Sequence, residues 1–195
     1  MQGISLEYLK WLQSEFCGPS LGRLTISQFE KMYLRPRTSR RCCSVTDELA
    51  ADANTAHHVG RATWFISHTW NNPFADTLKA IFNVFEGRAD AATAVLWFDV
   101  FVDSQHATAG TSKSPQWYMT TFKSSIARIG SLLLVIDAWE DPAPLRRAWY
   151  VLARARVRAC VRVRVCVCFR VLVSLLMHVC VHVCVYVRVF SCVCG

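Results

Sequence analysis

Three short apolar runs, each followed directly by polar residues, constrain the fold of this chain more than any other feature. They are residues 63–67 (TWFIS), 94–98 (AVLWF) and 131–136 (SLLLVI). Their length and their aromatic and β-branched content favour strands that are buried on both faces. Helical patterns separate them, the first of which we expect Asn72 to cap. Strands that alternate with helices form parallel sheets, so we predict an α/β domain with strand 63–67 at its centre.

The carboxyl ends of these strands carry the candidate binding residues, because ligands of open parallel sheets lie in the crevice beyond those ends. Ligand contact and a structural turn are both open for the residues after the first strand, and ligand contact and helix capping are both open for the two acids. Neighbouring strand residues point to opposite faces, so a nucleophile–base pair between the first two is not expected. The candidates are Ser67, His68, Thr69, Trp70, Asp99, Asp137 and Trp139.

The sequence pattern of the first 60 residues predicts helices rather than strands. Apolar residues between positions 4 and 16 recur at helical spacing, and Thr25 opens a second helix with a capping box. Pro36 is expected to end that helix, and residues 35–41 then form a polar, solvated linker. We therefore predict a helical N-terminal extension over residues 1–60 and an α/β domain over residues 61–150.

Residues 151–195 have a different texture, with 15 valines that all fall at odd positions and no acidic residue. Their codons are those of a translated pyrimidine–purine repeat, and the codons of residues 149–151 contain the splice-donor sequence GTAYGT. We expect this low-complexity tail to be intron sequence and the domain to be incomplete beyond Trp149. A membrane anchor is the alternative, but residues 171–187 fall short of the about 20 that a spanning helix needs, and their alternation fits a strand better.

The tail also accounts for the unusual composition. Without its 7 basic residues the chain has 15 basic against 14 acidic residues, so a nucleic-acid partner is not expected. Only Cys17, Cys42 and Cys43 lie before it, which predicts a reducing, cytoplasmic location rather than a disulfide framework. The pair at residues 57–58 (HH) has no cysteine or carboxylate at ligand spacing, so we expect no metal site. Phosphate-binding glycine loops and GxSxG are absent from the sequence, which argues against NTPases, dehydrogenases and hydrolases.

The boxes at the strand ends resemble those of Toll/interleukin-1 receptor (TIR) domains. Residues 65–70 (FISHTW) resemble the first signature box, and residues 97–99 (WFD) resemble the second strand with its terminal acid. Residues 133–139 and 145–149 are similar to the third strand and the start of the following helix. More closely, residues 65–70, 97–106, 117–122 and 144–149 resemble a TIR-like module of algae and protists that often precedes tetratricopeptide arrays.

This resemblance implies a flavodoxin-like three-layer sandwich, here incomplete at the C-terminus, and one of two functions. TIR domains act as self-associating signalling adaptors or as NAD⁺ glycohydrolases whose catalytic Glu follows the third strand. That Glu would fall four residues past Trp149, where this chain has Ala153, which cannot stabilise an oxocarbenium-like charge. The first expectation is a non-catalytic signalling or scaffold module without a cofactor, associating with TIR-like domains or itself. The alternative is an NAD⁺-cleaving enzyme that lost its Glu through mis-splicing, with Ser67, Asp99 and Trp139 lining the nucleotide pocket.

Overall fold

The computed structural model describes residues 1–16, 24–106, 123–136, 161–168 and 182–189 of the 195-residue chain. The strands are β1 (Gln2–Ser5), β2 (Val59–Arg61), β3 (Trp64–Ser67), β4 (Val95–Trp97), β5 (Ser131–Ile136), β6 (Val161–Cys168) and β7 (His182–Val189). The helices are α1 (Leu6–Phe16), α2 (Ile26–Phe29), α3 (Arg35–Thr38), α4 (Val45–Ala50), α5 (Phe74–Phe85), α6 (Asp99–Val102) and α7 (Lys123–Ile129). A π-helical turn spans Glu30–Leu34, and 3₁₀ turns span Ala56–His58 and Ala91–Thr93. All seven strands form one mixed sheet in the order β2-β1-β4-β3-β5-β7-β6.

The centre of this sheet is parallel. Strand β3 lies between β4 and β5 and runs parallel to both. Phe65 lies opposite Trp97 in the register, and their rings stack with centroids 4.4 Å apart. Trp64, Phe65 and Ile66 are all buried, so both faces of β3 are covered. The predicted parallel α/β core with strand 63–67 at its centre is therefore confirmed.

The N-terminal residues belong to this same sheet, so the predicted helical extension beside the domain is wrong. Strand β1 pairs antiparallel with β4 on one side and with β2 on the other. Ile4 lies in β1 rather than in α1 and is fully buried. The approach to β4 is close, because a Cβ at Gly3 would lie 2.6 Å from the carbonyl oxygen of Leu96. The expected boundary at residue 60 runs through β2, and α1 buries Tyr8, Leu9 and Leu12 in the common core.

The second helical segment continues past the proline that was expected to end it. The π-helical turn lets the amide of Arg35 donate to the carbonyl of Glu30, and α3 then runs to Thr38. Pro36 is the second residue of α3, one residue past the π-helical turn, so the helical segment accommodates it without ending. The guanidinium of Arg35 donates two hydrogen bonds to buried Glu30, at 2.8 and 2.9 Å. The segment expected to be a solvated linker therefore begins inside a helix, with Arg35 paired to Glu30.

The tail supplies two outer strands. Strand β7 pairs antiparallel along the whole of β5, from Ser131 opposite Arg188 to Ile136 opposite Val183, and β6 pairs antiparallel with β7. The described parts of the tail are these two strands. A search of the described helices finds none that is both long enough and apolar enough to cross a membrane.

Candidate functional site

The carboxyl ends of the parallel strands form the polar edge of the sheet, which we call the rim. Part of this rim is the loop that follows β3. Past Ser67 the chain turns back on itself, and the amide of Asn72 donates to the carbonyl of Thr69 over 3.0 Å. The start of α2 fixes this loop from outside, since the amide of Ser27 donates to the carbonyl of Trp70 at 3.0 Å. The capping box predicted at Thr25 is confirmed, and it anchors that helix start. The N-terminal segment therefore positions the rim.

Three of the candidate residues come together here. His68 Nε2 lies 2.7 Å from Asp99 Oδ1, and Trp70 Nε1 donates to Asp99 Oδ2 over 3.2 Å. Asp99 is the first residue of α6, directly beyond β4, so the contacts connect the ends of two neighbouring parallel strands. The His68 ring also packs edge-on against buried Phe98, with centroids 4.8 Å apart. We call His68, Trp70 and Asp99 the rim cluster.

The rim cluster keeps its carboxylate ionised. Burial works to raise the pKa of Asp99, but His68, the indole of Trp70 and the backbone amide of Val100 together hold that pKa below its ordinary value. The His68 side chain is 2% exposed and that of Asp99 is 29% exposed, so solvent screens the contact only in part. Nε2 must carry the proton in order to donate to the carboxylate, and within the described residues Nδ1 is buried without a hydrogen-bond partner.

The other candidates divide into two groups. The half-buried Ser67 hydroxyl makes no hydrogen bond within the described residues, and Thr69 contributes its carbonyl to the turn. His68 contacts Asp99 rather than Ser67, in keeping with the expectation that the neighbours do not pair. The predicted candidates Asp137 and Trp139, and Ala153 at the position of the family Glu, lie outside the described residues.

The role predicted for Asn72 is wrong. Helix α5 begins at Phe74 after Pro73, without a side-chain cap. Asn72 is instead 1% exposed, and neither polar atom of its side chain has a partner among the residues that the structure describes. Its main chain holds the loop, because its carbonyl accepts from the amide of Ile26 at 2.9 Å. A cap signal based on Asn-Pro spacing could not reveal that the N-terminal segment hydrogen-bonds to the main chain of this residue.

A second polar cluster was not predicted from the sequence. The fold brings Glu7, in the first turn of α1, to His57 and His58, so that one ligand atom from each lies within 4.8 Å of the others. His58 Nδ1 is 3.0 Å from Ser5 Oγ and 4.0 Å from Glu7 Oε2. Burial and the neighbouring His57 lower the pKa of His58, while Glu7 acts in the opposite direction. Spacing along the chain could not reveal this, because the carboxylate comes from a distant helix.

Asp99→Asn is expected to destabilise the fold by about 1–3 kcal/mol, because the buried imidazole loses its ionised acceptor. The pKa of Asp99 is depressed in the folded chain, so its contribution is present above the pKa of the unfolded state. It is lost as the pH falls through the folded-state pKa, and the variant should lack this acid-sensitive component. Urea unfolding from neutral to acidic pH measures both effects.

The matched control for that experiment is Glu86→Gln. Glu86 is exposed and forms no ion pair within the described residues, so its charge is screened by solvent. Its stability should stay close to that of the unchanged chain at every pH. Equal pH profiles for Asp99→Asn and the unchanged chain would contradict the role assigned to the rim cluster.

Chemically, the rim cluster is a carboxylate held by an imidazole, an indole and a backbone amide. Both carboxylate oxygens have internal donors, so the group serves first to hold the loop after β3 against the start of α6.

Comparison of the chain with protein-family models, with curated proteins and with solved structures gave no match in any of the three.

Proposed function

We propose that this chain is a TIR-like signalling or scaffold module that acts by association, with other TIR-like domains or with a second copy, and does not catalyse a reaction. One observation carries the proposal. The carboxylate of Asp99 is occupied by His68, Trp70 and the Val100 amide. A group that stabilises a cationic sugar needs an oxygen free to face the substrate, whereas both oxygens of this carboxylate accept hydrogen bonds from within the fold. The module would work without a cofactor, and NAD⁺ would be a substrate only of the alternative discussed below.

The strand order supports a flavodoxin-like arrangement. Counted along the chain, the parallel strands lie in the order second, first, third, as β4, β3 and β5. The flavodoxin-like order is 2-1-3-4-5, so these strands match its first half. Strands β7 and β6 occupy the side of the fourth and fifth strands but run antiparallel to their neighbours. We propose that the complete domain is the three-layer sandwich and that the tail has replaced its last part.

The surface of the N-terminal helices supports association. Trp11 is 46% exposed on α1 and Met32 is 57% exposed on the π-helical turn. Large exposed aromatic and methionine side chains are enriched where protein surfaces meet, and a few such residues carry most of the binding free energy. Cys42 and Cys43 are free thiols, which fits the cytoplasmic location that we propose.

The test of the proposal has two parts, turnover and association. The full chain should hydrolyse NAD⁺ at least about 10²-fold more slowly than an enzyme that has a charge-stabilising group in place. Nicotinamide release measures this. NAD⁺ turnover that is abolished by Ser67→Ala or by Asp99→Asn would contradict the proposal, because residues of the rim would then take part in catalysis.

Sedimentation of the same chain over a range of concentrations tests association. Trp11→Gln should weaken self-association about tenfold or more, whereas the exposed neighbour Lys10→Gln should not. The tail is a competing cause, because alternating valines without acidic residues promote aggregation. If removal of residues 151–195 abolishes self-association and Trp11→Gln leaves it unchanged, association through the surface of the N-terminal helices is contradicted.

The alternative, an NAD⁺ glycohydrolase, is favoured by one feature of the rim. Ser67 ends β3 beside Leu134 of β5, at the point where the order of the parallel strands reverses. Such switch points open the crevice that binds nucleotides, and the Ser67 hydroxyl has no partner within the described part of the chain. Sequencing of the transcript across the Trp149 codon separates the two functions. A spliced message that encodes Trp-Cys-x-x-Glu restores the enzyme, and a message continuous through the repeat excludes it.

A further inference from the structure

The cluster of Glu7, His57 and His58 lies at the opposite end of β4 from the rim cluster. Strand β1 runs antiparallel to β4, and its last residue, Ser5, pairs with Val95, the first residue of β4. Glu7 follows immediately in α1, whereas Asp99 lies beyond the other end of β4. This second cluster is therefore spatially separate from the rim cluster.

We propose that Glu7, His57 and His58 bind a divalent metal ion of the zinc class, with water in the remaining coordination position. Two imidazoles and one carboxylate form a ligand set that zinc uses in proteins when one position stays open. Nitrogen and oxygen donors of this kind favour zinc and its neighbours over calcium or magnesium, which prefer oxygen alone.

The distances suit such an ion. Zinc ligands lie about 2.0–2.2 Å from the metal, which places tetrahedral ligand atoms about 3.4 Å from one another. The three candidate atoms already lie within 4.8 Å of each other. The Glu7 side chain is 77% exposed and His57 is exposed, so both can close the remaining gap by rotating side-chain bonds.

His58 is the fixed member of the set. Its side chain is 15% exposed, and its ring packs against buried Tyr8 with centroids 5.4 Å apart. The Ser5 hydroxyl lies 3.0 Å from Nδ1, the ring nitrogen that is 4.0 Å from Glu7 Oε2. A metal ion bound at Nδ1 would replace this hydrogen bond, so the packing of the ring against Tyr8 is what holds His58 in place.

A bound ion would join two distant parts of the chain. Glu7 begins α1, and both histidines lie in the 3₁₀ turn that leads into β2, 50 residues later. An ion bound to all three residues would connect α1 to the turn before β2. It would thereby help to hold β1 in place between its antiparallel neighbours β2 and β4. An ion that binds only the folded state raises the midpoint of thermal unfolding.

The experiment measures binding of Zn²⁺ alone, and of Co²⁺ as its spectroscopic substitute, to the full chain. The variants are Glu7→Gln and His57→Gln, and Glu15→Gln is the matched control because it removes the same charge from an exposed position of the same helix. The 7 cysteines of the tail can also bind zinc, but every variant contains them and they cancel in the comparison. Both altered side chains are exposed, so the metal-free unfolding midpoint should not change.

We expect Glu7→Gln and His57→Gln each to weaken one zinc site by on the order of tenfold to 100-fold. Zinc should raise the unfolding midpoint of the unchanged chain and of Glu15→Gln more than that of either variant. The Co²⁺ difference spectrum between the unchanged chain and His57→Gln should lack the charge-transfer absorption of thiolate ligands. Equal zinc affinity in all four proteins, or a difference spectrum of thiolate type, would overturn the site.

Discussion

Gly3→Ala is expected to destabilise the folded chain by about 3 kcal/mol, at the upper end of the usual cost of overpacking. The added Cβ would lie 2.6 Å from the carbonyl oxygen and 2.9 Å from the carbonyl carbon of Leu96. Both atoms belong to the backbone of β4 and cannot move aside without breaking the pairing of β1 with β4. Urea unfolding monitored by tryptophan fluorescence measures the loss.

Gly60→Ala is the matched control, because Gly60 is the register partner of Gly3 on β2. Its added Cβ would meet only the side chain of Val95, at 3.4 Å, which is ordinary contact. We expect a change within about 1 kcal/mol, with stabilisation possible because alanine restricts the unfolded chain. Equal losses for Gly3→Ala and Gly60→Ala would mean that β1 does not lie against β4 as described.

Phe74→Ala is expected to cost about 3–5 kcal/mol, the usual range for removing a fully buried aromatic ring. Phe74 is 0% exposed at the start of α5, and its ring stacks on that of Phe29 with centroids 3.9 Å apart and planes 11° from parallel. Phe29 belongs to α2, so this contact attaches the N-terminal segment to the helix that covers the sheet. Denaturant unfolding should show one transition at lower urea, because the two parts share a core.

A double-mutant cycle with Phe29→Ala isolates the contact itself. The two substitutions should couple by about 0.5–1.5 kcal/mol, as stacked aromatic pairs do. Phe82→Ala is the control on the same helix, since this ring is only partly buried and should not couple with Phe29. If the losses in free energy of unfolding are additive in the Phe29–Phe74 cycle, or if two separate unfolding transitions appear, the N-terminal residues form an independent extension after all.

Local patterns were enough for the parallel core and for the start of α2. The runs ending at Ser67, Trp97 and Ile136 are apolar on both faces, and only a sheet covered on both sides can bury them. The capping box at Thr25 depends on residues within one turn, so the sequence contains all of it. Each of these predictions uses contacts between near neighbours or a burial pattern that a single strand displays.

Strand β1 could not be predicted in this way. Ile4 lies four residues before Tyr8, and both are buried, so their spacing is that of a continuous helix. What makes residues 2–5 a strand is the free edge of β4, whose backbone groups pair with them. Gly3 permits the close approach to Leu96 that this pairing requires.

The same division holds for the polar clusters. The sequence alone determined that His68, Trp70 and Asp99 lie at one rim, because carboxyl ends of parallel strands meet at one edge. The tertiary structure decided that the carboxylate is shared between the imidazole and the indole, since 31 residues separate His68 from Asp99. It alone brought Glu7 to His57 and His58, because contacts between distant segments depend on how strands and helices pack, which no local spacing records.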